Sequence, residues 1–366
     1  MKFAWAVTAA AIAIAPVFAQ EPDIDSLLAK LPKAEAFERP KVDQLLREAQ
    51  AMQNDATGKE LTLALRRGDA AGALRAARAL AAKYPQNATA QFMEGVMGIL
   101  FRQAEVATAS FRRAVALNPG FAEAQFGLAA AFALRGQFAE AMPPLRRAAQ
   151  LQPNEPRYQL ALASCAAELG QGDERVKYAR RATEIAPSYV VAWIDLARAE
   201  NARKQPGAAI NALSWAAELA PDNPSIQTAL GLGYVNLKRD APAVLPLQRA
   251  ARLAPNTFLV HAQLGYCYLK QGQTDAAADS LRRATSLAPN YGPAWNHLGL
   301  AYERQGRNGD AQKAFKRATE LMPSSRSAWE KYAAELRLVG KIDDANKASA
   351  RAASLIPSGG AGGSPR

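Results

Sequence analysis

Side chains that commonly carry out chemistry are scarce in this sequence. Its 366 residues include two cysteines, Cys165 and Cys267, and two histidines, His261 and His297. Zinc sites draw mainly on cysteine and histidine, and general-base catalysis relies most often on histidine. The sequence also lacks the motifs for phosphate loops, nucleophilic serines, zinc proteases and dinucleotide binding. We therefore expect a protein that is not an enzyme, with no catalytic residue, no cofactor and no metal site.

Prolines recur with a constant spacing that indicates a repetitive architecture. They occupy every thirty-fourth position from residue 85 to residue 357, without an insertion. Self-similarity at this period is typical of a solenoid. Counting back from each proline divides the chain into nine repeats: 54–87, 88–121, 122–155, 156–189, 190–223, 224–257, 258–291, 292–325 and 326–359.

Small and large apolar residues alternate at fixed positions of each repeat. Position 8 is glycine or alanine in the last eight repeats, and position 20 is alanine in eight of nine, with Arg175 as the exception. Small residues allow two helices to approach closely where they cross, and large residues such as Leu145 and Phe315 at position 24 fill the space between them. Each repeat is therefore predicted to contain two packed helices, which makes the chain all-α.

Turn-forming residues mark where these two helices begin and end. Glycine at position 15, as in Gly136, suits the left-handed turn that closes the first helix. The proline at position 32 ends the second helix, and Asn256 and Asn290 follow such prolines as candidate N-caps of the next helix. The pattern predicts one helix–turn–helix hairpin in each repeat.

The eighth repeat carries the residues by which the chain resembles a known family. It reads Trp295-x2-Leu298-Gly299-x2-Tyr302, then Ala311-x3-Phe315-x2-Ala318, then Pro323. In this pattern the chain resembles the tetratricopeptide-repeat (TPR) family. The resemblance implies a right-handed α-solenoid superhelix in which first helices line a concave groove and second helices form the convex face. It also implies that positions 2, 5, 6, 9, 12 and 13 face the groove.

Apolar residues fill the groove positions of the second to fourth repeats. An apolar floor of this size exceeds what a solvated surface usually shows, and it favours a site for an extended or helical apolar peptide. Two other interpretations remain: residues 24–31 of the same chain occupy the groove, or neighbouring repeats bury these side chains. The candidate residues are Phe92, Met93, Val96, Ile99, Leu100, Phe126, Leu134 and Leu160.

Polar residues take over the groove positions from the fifth repeat onward. Mixed charges and amides suit a polar peptide or an acidic tail, because arginine can hold a carboxylate with two hydrogen bonds; the alternative is a solvated face. The carboxylate clamp of the family needs a basic residue at position 5 with an asparagine at position 9, and no repeat has that pair. The candidates are Asp195, Arg198, Asn201, Asn236, Lys270, His297, Arg304 and Arg337.

Positive charge is concentrated at positions 25 and 26, on the second helices. The chain has 45 Lys and Arg against 33 Asp and Glu, a net charge of +12. This basic stripe either binds an anionic lipid, glycan or nucleic acid or solvates the convex face near helix C-termini. It consists of Arg112, Arg113, Arg146, Arg147, Arg180, Arg181, Arg249, Arg282, Arg283, Lys316 and Arg317.

The two ends of the chain differ from the repeats. Residues 1–19 combine Lys2, an apolar run and Val17-Phe18-Ala19, which predicts a signal peptide cleaved after Ala19. An uncleaved membrane anchor is the alternative, although the run is shorter than the ~20 apolar residues of a spanning helix. Residues 20–53 are predicted to form an amphipathic lead-in or cap, and residues 360–366 a flexible glycine-rich tail.

These features together predict an exported scaffold that binds a protein or peptide partner in its groove, in the periplasm or outside the cell. Electrostatic binding of an anionic envelope surface by the basic stripe is the alternative function. Nucleic acid is the least expected polyanion because the signal peptide exports the chain. Cys165 and Cys267 both occupy position 10, three repeats apart, which is too far for a disulfide, so both are expected to be buried thiols. No transmembrane helix is expected in the mature chain, and the oligomeric state is left open.

Overall fold

The computed structural model of the chain describes residues 55–355, whose regular elements are all α-helices. The predicted signal peptide, lead-in and tail lie outside the described residues. Contacts between helices divide the chain into a first unit that ends at Lys238 and a second unit that begins at Arg239.

Helices follow one another along both units with short connections. The first unit contains α1 (Ala56–Arg67), α2 (Ala70–Lys83), α3 (Ala88–Leu100), α4 (Ala104–Leu117), α5 (Ala122–Leu134), α6 (Phe138–Leu151), α7 (Pro156–Glu168), α8 (Gly172–Ile185), α9 (Val190–Ala202), α10 (Pro206–Leu219) and α11 (Pro224–Asn236). The second unit contains α12 (Asp240–Leu253), α13 (Phe258–Lys270), α14 (Thr274–Leu287), α15 (Gly292–Arg304), α16 (Asn308–Leu321), α17 (Arg326–Leu338) and α18 (Ile342–Ser354).

Packing within each unit follows one rule. The two helices of a hairpin pack together, and the second helix then packs against the first helix of the next hairpin. First helices also contact one another, as α3 contacts α5, α7 contacts α9 and α13 contacts α15. The predicted all-α solenoid of helical hairpins is thereby confirmed. Among the described helices, none has the length and apolar character needed to cross a membrane.

Position 15 of every repeat adopts the left-handed backbone conformation that the glycine pattern predicts. Six repeats have glycine there, with φ between 67° and 77°. The other three have Arg102, Lys204 and Lys238, with φ of 54°, 59° and 55°. Since this conformation is costly for residues that have a Cβ, the turn imposes it even where the sequence does not favour it.

The N-cap prediction for Asn256 and Asn290 is wrong by one residue. The next helix begins one residue later, so that Tyr291 rather than Asn290 occupies the N-cap of α15. The asparagines lie within the preceding turn, where their Oδ1 atoms accept hydrogen bonds from Arg283 at 3.0 Å and Arg317 at 3.4 Å. These polar residues therefore tie the turns to the second helices.

A hydrogen bond across the repeat boundary explains the residue types at position 4. The side-chain N–H group of Trp193 donates to the carbonyl of Pro187 at 2.8 Å, and that of Trp295 to Pro289 at 2.9 Å. His261 makes the equivalent contact with Pro255 at 2.9 Å. The position therefore selects for a side chain that can carry a ring or amide N–H.

Small and bulky residues meet at positions 8 and 24, as the pattern predicts. A Cβ added to Gly95 would lie 2.8 Å from the Phe111 ring, and one added to Gly299 would lie 2.6 Å from the Phe315 ring. Both phenylalanines are buried. A phenylalanine at position 24 therefore requires glycine at position 8, because even a methyl group would overlap the ring.

Both cysteines are buried free thiols, which confirms the expectation drawn from their positions. Burial raises the pKa of Cys165 to about 11 and that of Cys267 to about 12. At neutral pH both are therefore uncharged and poor nucleophiles.

Candidate binding site

The apolar groove candidates lie mostly inside the first unit. Phe92, Met93 and Val96 on α3 are at most 2% exposed. The Phe92 ring lies 5.8 Å from that of Phe111 and 4.9 Å from that of Phe121, measured between centroids. Phe121 is the N-cap residue of α5, and α5 itself contacts α3, so the next hairpin packs on this side of α3. This burial supports the interpretation that neighbouring repeats, rather than a partner, cover these three residues.

The remaining apolar candidates range from buried to exposed. Phe126 and Leu160 are buried, and the Phe126 ring lies 5.3 Å from Tyr158 in the next repeat. Ile99 and Leu100 are half-buried at the end of α3, whereas Leu134 at the end of α5 is 47% exposed. The accessible apolar surface at these positions is therefore confined to the C-terminal ends of α3 and α5.

Charged candidates in the fifth repeat lie together in a small cavity. On α9, Arg198 Nη1 donates to Asp195 Oδ1 at 2.7 Å. The cavity has a volume of about 190 Å³ and extends to α7 and α8. We call it the α7–α9 pit; it is lined by Ala163, Ser164, Ala167, Glu168, Arg175, Asp195 and Arg198.

Arg175 on α8 is a residue of the pit that the sequence candidates did not include. Burial lowers the pKa of its guanidinium, while Asp195 opposes this effect. Burial also raises the pKa of the Asp195 carboxyl, and the positive charges of Arg198 and Arg175 partly offset this increase. Arg175 is the exception to the alanine at position 20, which is the signal by which the sequence could have identified it.

The amide candidates of the first unit lie further along the same helices. Asn201 lies one turn beyond Arg198 at the end of α9, and Asn236 ends α11. Both are half-buried. They therefore extend the polar character of the first helices beyond the α7–α9 pit.

Two polar candidates of the second unit, His297 and Lys270, lie near the same tyrosine, and His297 is half-buried. The His297 ring on α15 lies 5.2 Å from that of Tyr266 on α13. Burial lowers the pKa of His297 to about 4, and the positive charge of Lys270 acts in the same direction. The imidazole is therefore neutral at pH 7, and Lys270 itself lies over the Tyr266 ring at 5.4 Å.

The two arginine candidates of the second unit bind other parts of the same unit. Arg304 Nη1 donates to the backbone carbonyl of Leu269, which is near the end of α13. Arg337 Nη2 donates to Ser349 Oγ at 2.7 Å and so joins α17 to α18. Both arginines are exposed, but part of their hydrogen-bonding capacity is used within the fold.

The basic stripe of the first unit is exposed, and some of its members contact a neighbouring repeat. Arg112 lies over the Phe132 ring at 5.2 Å. Arg180 Nη2 donates to Glu200 at 2.8 Å, and Glu200 is 5% exposed. The other exposed members of the stripe in this unit are Arg113, Arg146, Arg147 and Arg181.

Members of the stripe in the second unit pair with acidic residues of their own helices. Arg282 pairs with Asp279, and Arg317 pairs with Glu320 at 2.9 Å, each three residues away. Arg249 is half-buried, whereas Arg283 and Lys316 are exposed. Several of these charges are therefore paired with acidic residues, and the net positive charge available to a ligand is smaller than the count of residues suggests.

Comparisons with known proteins place the repeats in a family. Models of the tetratricopeptide repeat match residues 101–165, 156–189, 262–326 and 297–353. No curated protein matches the whole chain or a part of it. Among residues 55–355, no three His, Cys, Asp or Glu side chains lie close enough together to hold a metal ion.

Solved structures of similar fold each cover about half of the chain. A crystal structure of MamA is 22% identical and covers 44% of this chain and 94% of its own, with a TM-score of 0.42. A MamA fragment from Desulfovibrio magneticus RS-1 is 21% identical and covers 45% of this chain and 94% of its own, with a TM-score of 0.42. YrrB, described as a TPR protein with an unusual peptide-binding site, is 19% identical and covers 50% of this chain and 95% of its own, with a TM-score of 0.45.

Helical hairpins at a 34-residue period, small residues opposite bulky ones and the family models agree on one conclusion. The chain is a tetratricopeptide-repeat protein of about nine repeats.

Proposed function

We propose that this protein is an interaction scaffold that binds a partner polypeptide on the face formed by its first helices, which we call the first-helix face. The TPR fold supports a protein–protein interaction scaffold. The observation that carries the choice of face is the α7–α9 pit, where charged side chains of α7, α8 and α9 surround a cavity open to solvent. A charged cavity on an extended helical surface is suited to a side chain of a bound segment.

A peptide selection with two matched variants tests this choice of face. Random twelve-residue peptides displayed on phage are selected on the immobilised chain, and enriched peptides are titrated by fluorescence anisotropy. The first-helix variant carries Leu134→Glu and Asn201→Glu, and the second-helix variant carries Leu219→Glu and Asn211→Glu. Each pair replaces one exposed leucine and one asparagine of the first unit. Asn201 is half-buried and Asn211 is exposed, so equal helicity of the two variants is a required control.

We expect the first-helix variant to bind the enriched peptides at least tenfold more weakly than wild type. The second-helix variant should bind them as wild type does, because its substitutions lie on α10. Circular dichroism should show equal helicity for all three proteins. Loss of binding in the second-helix variant alone would contradict the choice of face.

We also propose export to the cell envelope, which is supported by the signal-peptide pattern of residues 1–19. Expression of the full gene in a Gram-negative host, followed by fractionation and intact-mass measurement, tests this proposal. A periplasmic protein whose N-terminus is Gln20 is expected. A cytoplasmic protein that retains Met1 would contradict it, and a membrane-bound protein that retains the segment would support the anchor instead.

Electrostatic binding to an anionic surface is the second candidate, favoured by the exposure of most of the basic stripe. Sedimentation with phosphatidylglycerol vesicles at 50 and 200 mM salt tests it. If the stripe binds the vesicles, the bound fraction should fall steeply with salt and disappear when Arg113, Arg147 and Lys316 are changed to Glu. Binding that is insensitive to salt would exclude this function.

A further inference from the structure

Arg175 is a large charged residue at a position where a purely structural role would call for alanine. Position 20 is alanine in the other eight repeats, and the alanines of this column in the described helices are buried. An arginine there brings a charged group into a position that the architecture otherwise fills with a methyl group. Removing a guanidinium from water costs free energy unless it gains partners inside the protein.

The Arg175 guanidinium does not gain such a partner from the residues that the structure describes. It has no hydrogen bond and no ion pair there, and it interacts with Asp195 and Glu168 only at longer range. The carboxylate of Asp195 is already held by Arg198 at 2.7 Å. Because a guanidinium has five N–H donors, Arg175 retains its full capacity to bind an acceptor.

The shape of the α7–α9 pit limits what that acceptor can be. Its volume of about 190 Å³ is below the ~300 Å³ at which pockets for whole small ligands begin, so it suits a single side chain. The inner wall carries two arginines and one aspartate, while Glu168 is exposed at the end of α7. Ser164 adds a hydroxyl group that can donate a hydrogen bond.

From these contacts we propose that the α7–α9 pit binds the carboxylate of an Asp or Glu side chain of the partner polypeptide. The proposal rests on the proposed function and names the chemistry that its first-helix face recognises. Arg175 donates two parallel N–H bonds to the carboxylate, and Ser164 donates a third. A phosphate dianion fits less well, because Asp195 and Glu168 would repel its second charge.

The site differs from the carboxylate clamp of the family in the residues that form it. The clamp uses positions 5 and 9 of the first helices, whereas Arg175 is at position 20 of a second helix. Replacing Arg175 by alanine restores the residue of the other repeats, so the Arg175→Ala variant should fold at least as stably as wild type. A role in binding and a role in stability can therefore be separated in one variant.

A blocked amino acid tests the pit directly. N-acetyl-glutamate N-methylamide carries one carboxylate, and N-acetyl-glutamine N-methylamide is its neutral counterpart. Each is titrated into the full chain while the arginine Nε–Hε signals are followed by NMR. We expect the Arg175 signal to shift with the glutamate probe only, and its dissociation constant to increase at least tenfold in Arg175→Ala.

Control variants distinguish this site from general electrostatic attraction. Arg181→Ala removes an exposed arginine from the same helix α8 and should leave the dissociation constant unchanged. Arg175→Lys keeps the charge but not the planar fork, so binding should be intermediate. Inorganic phosphate should bind more weakly than the glutamate probe.

Three results would overturn the proposal. The first is equal binding of the two probes, and the second is equal loss of binding in Arg181→Ala. The third is a lower denaturant midpoint for Arg175→Ala with no shift of the Arg175 signal in wild type, which would make Arg175 a structural residue beside a cavity that holds only water. If peptides selected on the first-helix face bind without acidic residues, the scaffold function stands and the carboxylate site alone fails.

Discussion

The second and fifth repeats place opposite chemistry at the same three register positions. Position 20 of one repeat meets positions 6 and 9 of the next. In the first of these sites Ala73, Met93 and Val96 belong to one apolar cluster and are at most 1% exposed. In the second, the corresponding residues are Arg175, Asp195 and Arg198, and they surround a cavity. The backbone pattern is the same, so the side chains alone decide whether the site is core or pit.

This difference shows which part of the repeat is free to vary. Positions 8 and 24 must remain complementary in size because they hold one hairpin together. Positions 6, 9 and 20 can hold an apolar set, as Ala73, Met93 and Val96 do, or a charged set, as Arg175, Asp195 and Arg198 do. A charge introduced into the buried apolar set would lack a partner, and its burial would then cost several kcal/mol.

The largest effect is expected from moving the charged pair into the apolar site. The double variant Met93→Asp, Val96→Arg buries two charges without the cation that Arg175 of the fourth repeat supplies to Asp195 and Arg198 of the fifth. Its free energy of unfolding should fall by about 4 kcal/mol. Urea denaturation followed by circular dichroism measures this change.

The reverse exchange sharpens the same comparison. The triple variant Arg175→Ala, Asp195→Met, Arg198→Val replaces the charged set by the apolar one. Stability should be unchanged or higher, because well-packed apolar residues often equal or exceed a buried ion pair. A loss comparable with that of the first variant would show that the charged set is needed for folding.

A smaller loss is expected from overpacking the second repeat at a position where the fifth has room. Gly95→Ala places a Cβ 2.8 Å from the Phe111 ring, whereas the fifth repeat has Ala197 opposite Leu213. The variant should lose about 1–3 kcal/mol in urea denaturation. Adding Phe111→Leu should recover part of the loss, and strictly additive effects would refute direct contact between the two residues.

Position 6 of the eighth repeat adds a pH-dependent member to the column of Met93 and Asp195. Its residue, His297, has a pKa of about 4 in the folded chain and about 6.5 in a model peptide. Between these values the unfolded state binds the additional proton, so stability should fall as pH decreases. From pH 7 to pH 5 the loss attributable to His297 should be about 2 kcal/mol. The urea midpoints of wild type and His297→Gln should diverge as the pH falls from 7 to 5. Midpoints that change in parallel would contradict a contribution from His297.

The smallest expected effect concerns the turn that the second and fifth repeats share. Arg102 and Lys204 both adopt positive φ at position 15, where six repeats have glycine. Lys204→Gly should therefore raise the free energy of unfolding by about 0.5–1 kcal/mol. Gly170→Ala, at the same position of the neighbouring repeat, should lower it by a similar amount. Thermal unfolding of the two variants checks that the signs are opposite.

Much of the fold could be predicted from the sequence because the repeat amplifies weak signals. The left-handed turn at position 15 and the pairing of positions 8 and 24 appear in many copies, so exceptions such as Lys204 do not obscure them. The N-caps were misplaced by one residue because asparagine is favourable both in a turn and at an N-cap. The start of α15 after Tyr291 and the hydrogen bond from Arg317 to Asn290 show which role applies.

The binding site could be predicted only in part. The position of Phe92 on its helix indicated its direction but not that Phe121 of the adjoining turn would cover it. Arg175 was visible as the exception at position 20, and Asp195 and Arg198 were candidates on their own. Their common cavity could not be foreseen, because it depends on how α8 stacks against α9.

The bond from position 4 to the preceding proline has a consequence for how such a chain can be lengthened or shortened. The rings of Trp193, His261 and Trp295 each make a hydrogen bond with the carbonyl of a proline in the preceding repeat. A deletion or duplication of 34 residues preserves every such bond, wherever within the period its ends fall. Another length separates a donor from its acceptor when the joint falls within the six-residue interval between them. Each boundary between repeats is therefore a segment whose length cannot change without loss of this bond, which gives a rule for designing shorter or longer versions of this protein.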